Sequence, residues 1–205
     1  MKSTHLAGVS FGAAVIALSG FAWLAEPGSA EAAGADAKPD HTAPAEKVAR
    51  GKYLVTIAGC NDCHTPLKMG PAGPEPDMTR MLSGHPETME LPPAPTLPPG
   101  PWLVTVAVTN TAWSGPWGVS YTANLTPDPE TGLGKWTLRD FTDTIRTGRH
   151  MGRGRAILPP MPIPMYKHFT DQDMEAVFSY LQSIPAVKNR VPEPLPPVAA
   201  TASTQ

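Results

Sequence analysis

The stretch GCNDCHTP, residues 59–66, holds both cysteines of the chain and one of its six histidines. Four chemistries use two thiols and an imidazole at this spacing: half a zinc site, a redox-active dithiol, a tight structural disulfide, and haem attachment. A structural zinc site needs four ligands, commonly two pairs of Cys or His. Cys60 and Cys63 are the only cysteines, and His85, His150 and His168 show no spacing that completes the set. A thioredoxin-like dithiol sits between a strand and a helix start, where the helix dipole lowers the thiol pKa. Here a helical pattern precedes the motif. A bare disulfide leaves His64 unused. Cys-x-x-Cys-His is the attachment signature of c-type haem. Two thiols add across the porphyrin vinyl groups, and the next residue presents its imidazole to the iron. The expectation is therefore one covalent haem c on Cys60 and Cys63, with His64 as the proximal ligand.

The sixth iron position decides what such a haem does. A Met opposite His raises the reduction potential and marks electron-transfer sites. Met161 lies in ILPPMPIPMYKHF, residues 157–169, where prolines on both sides keep the chain out of a helix. A stiff loop suits a flexible, weakly binding thioether. Met165 in the same loop is its rival, and His150 and His168 are the histidine alternatives for that face.

The rest of the chain sets the context. It has 205 residues, net charge −2 and 26 prolines, far above the usual proportion of about one in twenty. No overall field draws it to nucleic acid or anionic membrane. Residues 1–30 read as an export signal: Lys2, an uncharged run over 6–24, then a small-residue cleavage pattern at Gly28-Ser29-Ala30 or Ala30-Glu31-Ala32. The run also approaches the length of an uncleaved anchor. Either way the domain is exported, which suits haem attachment and predicts a periplasmic location. The membrane enters only if the leader stays on.

Residues 31–44 read as a disordered linker. A helix is expected over 46–57, running into the cysteine motif and closed by Gly59. Residues 66–101 hold eleven prolines and read as a long loop. Alternating β-branched residues at 103–109 and an extended stretch at 117–123, separated by the turn-like NTAWSGP, predict a small β-hairpin. TLRD at 137–140 is a capping-box pattern with Asp for Glu, followed by an apolar stripe of Leu138, Phe141 and Ile145 ending at Gly148. TDQD at 170–173 repeats it, followed by Met174, Val177, Phe178 and Leu181 on one face. Residues 191–205 read as a proline-rich, disordered tail. The domain proper thus spans 45–190, with 66–119 as a Pro/Gly-rich insertion.

Three segments, ARGKYLVTIAGCNDCH, YTANLTPDPETGLGKWTLRDFTDTIRTGRH and ILPPMPIPMYKHFTDQDMEAVFSYLQSIPAV, resemble the class I c-type cytochromes. The likeness is greatest to bacterial periplasmic ones associated with dehydrogenases. It covers 49–65 and 121–187, about half the chain. It implies a mostly α fold around the haem, with the first helix crossing the last and Gly51 meeting Tyr180. It also implies that the methionine followed by proline, Met161, is the distal ligand. Partners would be a dehydrogenase donor and a respiratory-chain acceptor. Related subunits often carry several haem motifs, whereas this chain has one, and 66–119 has no counterpart in the resemblance.

Secondary features are weaker. Arg146, Arg149, Arg153 and Arg155 form a basic cluster suited to haem propionates or an acidic partner. Trp102, Trp113, Trp117 and Trp136 read as walls of the haem crevice rather than an electron relay. Asn124-Leu125-Thr126 is a bare glycosylation triplet. The sequence therefore predicts a mono-haem electron carrier, not an enzyme. Two alternatives stay open: a fixed cytochrome subunit of a dehydrogenase complex, and a haem-based sensor with a displaceable sixth ligand. A di-haem peroxidase would need a second attachment motif.

Overall fold

The computed structural model describes residues 44–98 and 100–197. The expected leader, the linker up to residue 43 and the last eight residues of the tail lie outside them. No helix among the described residues is long and apolar enough to cross a membrane.

Three helices carry the core. α1 spans Pro44–Ile57; its opening proline needs no N–H at a position that would lack a partner anyway. α3, Leu138–Thr147, has the reciprocal capping box of Thr137 and Asp140 and stops at Gly148 in the left-handed conformation (φ 66°). α5, Asp171–Ser183, is capped by the Thr170 hydroxyl, which accepts from the Asp173 N–H. The Asp173 carboxylate does not complete a box; it accepts from Arg50 on α1 at 2.9 Å.

α1 crosses α5 at Gly51, where a Cβ would stand 1.9 Å from the Ala176 carbonyl oxygen and 2.8 Å from Tyr180 Cβ. Only glycine permits this approach, as expected for the Gly51–Tyr180 contact. Lys47–Glu175 (2.5 Å) and Arg50–Asp173 (2.9 Å) close the crossing from the surface. Leu54, Val55, Met174, Val177 and Leu181 are buried at its centre, with Phe141 and Ile145 of α3 against them. Each such side chain contributes about 1.5–3 kcal/mol by leaving water.

The insertion changes the fold class. The described chain is mixed rather than mostly α, with five α-helices and five short strands. Residues 66–101 are not one loop. β1 (Leu67–Gly70) and β2 (Gly73–Pro76) form an antiparallel hairpin, followed by a 3₁₀ turn, Met78–Arg80. Pro74 and Pro76 hid it, but a two-stranded ribbon has only edges, where a missing N–H is tolerated.

The hairpin expected between 103–109 and 117–123 is also corrected. β3 (Thr105–Val106) pairs with β4 (Ala112–Gly115), which pairs with β5 (Gly118–Tyr121). The supposed turn NTAWSGP contains the central strand. The tight turn falls at Pro116-Trp117, where the Trp117 ring lies so close over Gly115 that a Cβ would meet it at 2.6 Å. The tail is structured further than expected: Leu195 exchanges two 2.9 Å backbone hydrogen bonds with Val119 of β5.

Asn189 ties these irregular parts together. Its side chain is fully buried and donates to the carbonyls of Ser83 (2.7 Å) and His85 (2.8 Å). Its oxygen accepts from Arg80 Nη2 (2.7 Å) and the Glu87 N–H (2.9 Å). Asn124, 4% exposed, donates to the Val187 carbonyl at 2.8 Å. The glycosylation triplet is therefore a structural element of the interior.

Candidate haem-binding site

Gly59, left-handed at φ 68°, ends α1 and opens the single turn α2, Cys60–His64. At i, i+3 and i+4 on this turn, Cys60, Cys63 and His64 share one face. They form part of the wall of a cavity of about 480 Å³, within the range of cofactor sites. Trp136, Phe141 and Ile145, residues 157–163 and residues 190–194 line the same cavity.

The turn is held from the insertion side. Asn110 Nδ2 donates to the Asp62 carbonyl (2.7 Å), and the Gly84 N–H to the His64 carbonyl (2.8 Å). Thr65 Oγ1, itself donating to Asn61 Oδ1 (2.9 Å), accepts from the Leu82 N–H (2.9 Å). Residues 66–119, which had no place in the resemblance, are the brace of the cysteine motif.

His64 is buried, and its Nδ1 lies 2.8 Å from the Ala123 carbonyl. Since a carbonyl only accepts, Nδ1 carries the proton and Nε2 keeps a free lone pair. Burial pushes the imidazole pKa down, with the Ala123 bond opposing, so the ring is neutral at pH 7. A neutral ring oriented through its other nitrogen is the form that binds metals. The two thiols are unbonded. Burial pushes Cys60 up to about 11, offset in part by a backbone hydrogen bond and reinforced by Asp62. Burial and then Asp62 raise Cys63 too. A redox dithiol needs the opposite shift, so the thioredoxin-like alternative loses its electrostatic basis.

Of the four distal candidates, Met161 and His150 reach the cavity. Met161 is half-buried against the hydrophobic core. Met165, on the short helix α4 (Ile163–Tyr166), is 69% exposed and forms no part of the wall. His168 is likewise exposed and outside it. His150 stands edge-on to Trp136, ring centroids 5.1 Å apart. The chain around Met161 is a turn at 159–160, and Met161 itself stays out of a helix.

Among the arginine cluster, Arg155 lines the cavity, 3.4 Å from Glu193. Arg146 is held by Asp171 (2.7 Å) and the Lys167 carbonyl. Arg149 and Arg153 donate to the carbonyls of Gly154 and Met151. Only Trp136 of the four named tryptophans is a cavity wall; Trp102 is 78% exposed.

Sequence reasoning missed the Ala123 carbonyl, Arg190 and Tyr166. The Tyr166 hydroxyl donates to the Ala58 carbonyl beside the motif, and burial pushes its pKa up to about 12. None has a local signature: a carbonyl exists at every residue, and the other two acquire their place from the tertiary fold.

The cytochrome c family profile matches residues 48–185. The chain belongs to the cytochrome c family. It is 37% identical over 81 residues, 40% of its length, to a nicotinate dehydrogenase subunit of Pseudomonas putida, covering 7% of that protein. It is 26% identical over 149 residues, 71% of its length, to the cytochrome c subunit of alcohol dehydrogenase (quinone) of Gluconobacter oxydans, covering 24% of it. To the fructose dehydrogenase cytochrome subunit of Gluconobacter japonicus it is 26% identical over 168 residues, 77% of its length and 27% of the relative's. The chain thus spans about a quarter or less of each of these relatives.

Proposed function

We propose that this domain carries single electrons on one haem c, bound through Cys60 and Cys63 and ligated by His64 and Met161. The observation that carries it is the His64 ring, held by Nδ1 on Ala123 with Nε2 free in the wall shared with both thiols. The residues suit the group. Cys60 and Cys63 would hold the group as thioethers, each protonated thiol supplying the S–H that a vinyl group takes up without an oxidant. The apolar wall keeps water from the ring system. Haem supplies a one-electron couple, and the chain supplies the axial ligands, burial and hydrogen bonding that set its potential. Arg155 and Arg190 at the cavity edge offer charge to the propionates. Its setting is the periplasm, between a dehydrogenase and a respiratory-chain acceptor.

One observation favours a fixed subunit over a free shuttle. Trp102, Leu103, Val104, Val106 and Val108 are all exposed in one stretch of the insertion. Five exposed apolar side chains within residues 102–108 suit a covered face better than the surface of a free monomer. Sedimentation with and without the native dehydrogenase separates the two, a lone monomer in the native extract favouring the shuttle.

The ligand set is tested by the weak red charge-transfer band that methionine gives ferric c-type haem. Met161→Ala abolishes the band and opens the ferrous haem to carbon monoxide. If Met165→Ala does so instead, the assignment fails. If wild type lacks the band and binds carbon monoxide, the domain is a sensor rather than a carrier.

A further inference from the structure

The loop that presents Met161 is short of hydrogen-bond donors. Three of the six residues in 157–162 are proline and have no N–H. Its start is tied down, the Ile157 N–H donating to the Gly148 carbonyl (2.8 Å), and its end runs into the first turn of α4, where the Met165 and Tyr166 N–H groups donate to the Pro162 carbonyl (2.9 and 3.1 Å). Its middle is reached by a side chain from β5 that lines the same cavity as Met161. Ser120 Oγ donates to the Pro159 carbonyl at 2.5 Å. The other carbonyl near that hydroxyl, Trp113, is at 3.4 Å, so the proton belongs to Pro159. Trp117 Nε1 donates to the Ser120 hydroxyl oxygen at 3.3 Å, which aims it.

Ser120 is 7% exposed and sits on β5, which is paired on one edge with β4 and on the other with Leu195. The donor is therefore fixed, and it adds a tie from outside the loop to a centre otherwise held by the local bond from the Ile163 N–H to the Met161 carbonyl (2.9 Å) and by the packing of Met161 against the core. A methionine side chain is flexible and binds weakly, so its placement depends on the backbone beneath it. We propose that Ser120 is the positioning residue for Met161: from β5 it holds the backbone of the loop that presents Met161 to the cavity, and so would set how readily outside ligands displace the thioether. This rests on Met161 being the distal ligand.

The test is imidazole titration of the ferric, haem-loaded full chain. An incoming ligand binds only the fraction of molecules with the loop released, so its apparent affinity reports that fraction. Ser120→Ala removes one net hydrogen bond and should tighten imidazole binding roughly fivefold, with the red band weakened and haem content unchanged. In a Met161→Ala background the same change should have no effect, because no thioether remains to displace. If Ser120→Ala fails to mature, Ser120→Thr and Ser120→Val form an isosteric pair, and Val should bind imidazole about fivefold tighter than Thr. Equal affinities within either comparison, or an effect that persists without Met161, would overturn the proposal. A Met161→Ala protein that keeps the red band and wild-type imidazole affinity would instead overturn the ligand assignment beneath it.

Discussion

Gly51→Ala sets two physical effects against each other at the α1–α5 crossing. Helix propensity alone favours the substitution by about 1 kcal/mol in a helix interior. Packing opposes it, because the new methyl carbon would stand 1.9 Å from the Ala176 carbonyl oxygen and 2.6 Å from its carbon. Those are backbone atoms of a facing helix, so no rotamer change relieves the clash and the helices must separate. Overpacking costs about 1–3 kcal/mol, and the upper end applies where only backbone movement helps. The net expectation is a loss of about 2 kcal/mol, or roughly 4–8 °C in Tm for a domain of this size. Chemical denaturation of the haem-loaded protein, followed by far-UV circular dichroism, measures it. A Gly51→Ala variant as stable as wild type, or more so, would show that the helices do not meet at this residue as described.

Other outcomes follow from the same geometry. Asn189→Ala leaves the Ser83 and His85 carbonyls and the Glu87 N–H without their partner in the interior. It should cost about 3–5 kcal/mol in denaturant unfolding, and a loss under about 1 kcal/mol would refute its linking role. His85 is fully buried, with Nδ1 at 2.9 Å from Thr111 Oγ1 and Nε2 facing the Met89 carbonyl. Burial lowers its pKa, with the Met89 bond opposing. The unfolded chain therefore takes up the proton first, near the ordinary value of about 6.5. The stability from a neutral His85 is complete above that pH and is lost as pH falls toward the depressed native value. The slope reaches at most about 1.4 kcal/mol per pH unit. Unfolding midpoints for wild type and His85→Gln between about pH 7.5 and 5 check this; parallel pH profiles would count against it.

The parts of the fold governed by local rules were legible. The capping box at Thr137 and Asp140, the Thr170 cap and the stripes of α3 and α5 are one-dimensional signals, and the structure contains them. The cysteine motif was legible because covalent attachment demands fixed spacing on one helical turn. Strand β4 was not, because Trp113-Ser114-Gly115 before Pro116 carries turn chemistry, and only pairing with both neighbours makes it a strand. β2 was hidden by its own prolines. Leu195 looked like tail because proline-rich composition does not report a single two-bond bridge to β5. Met161 and Met165 are the same residue type four positions apart. What separates them is tertiary: one lines the cavity and the other faces solvent.

The most direct test is the intact mass of the chain, denatured and reduced after expression with a c-type maturation system and then alkylated. The expected species carries the mass of one haem and no alkyl group, since both Cys60 and Cys63 are thioethers. A chain without haem, with both thiols alkylated, would contradict covalent attachment at this motif.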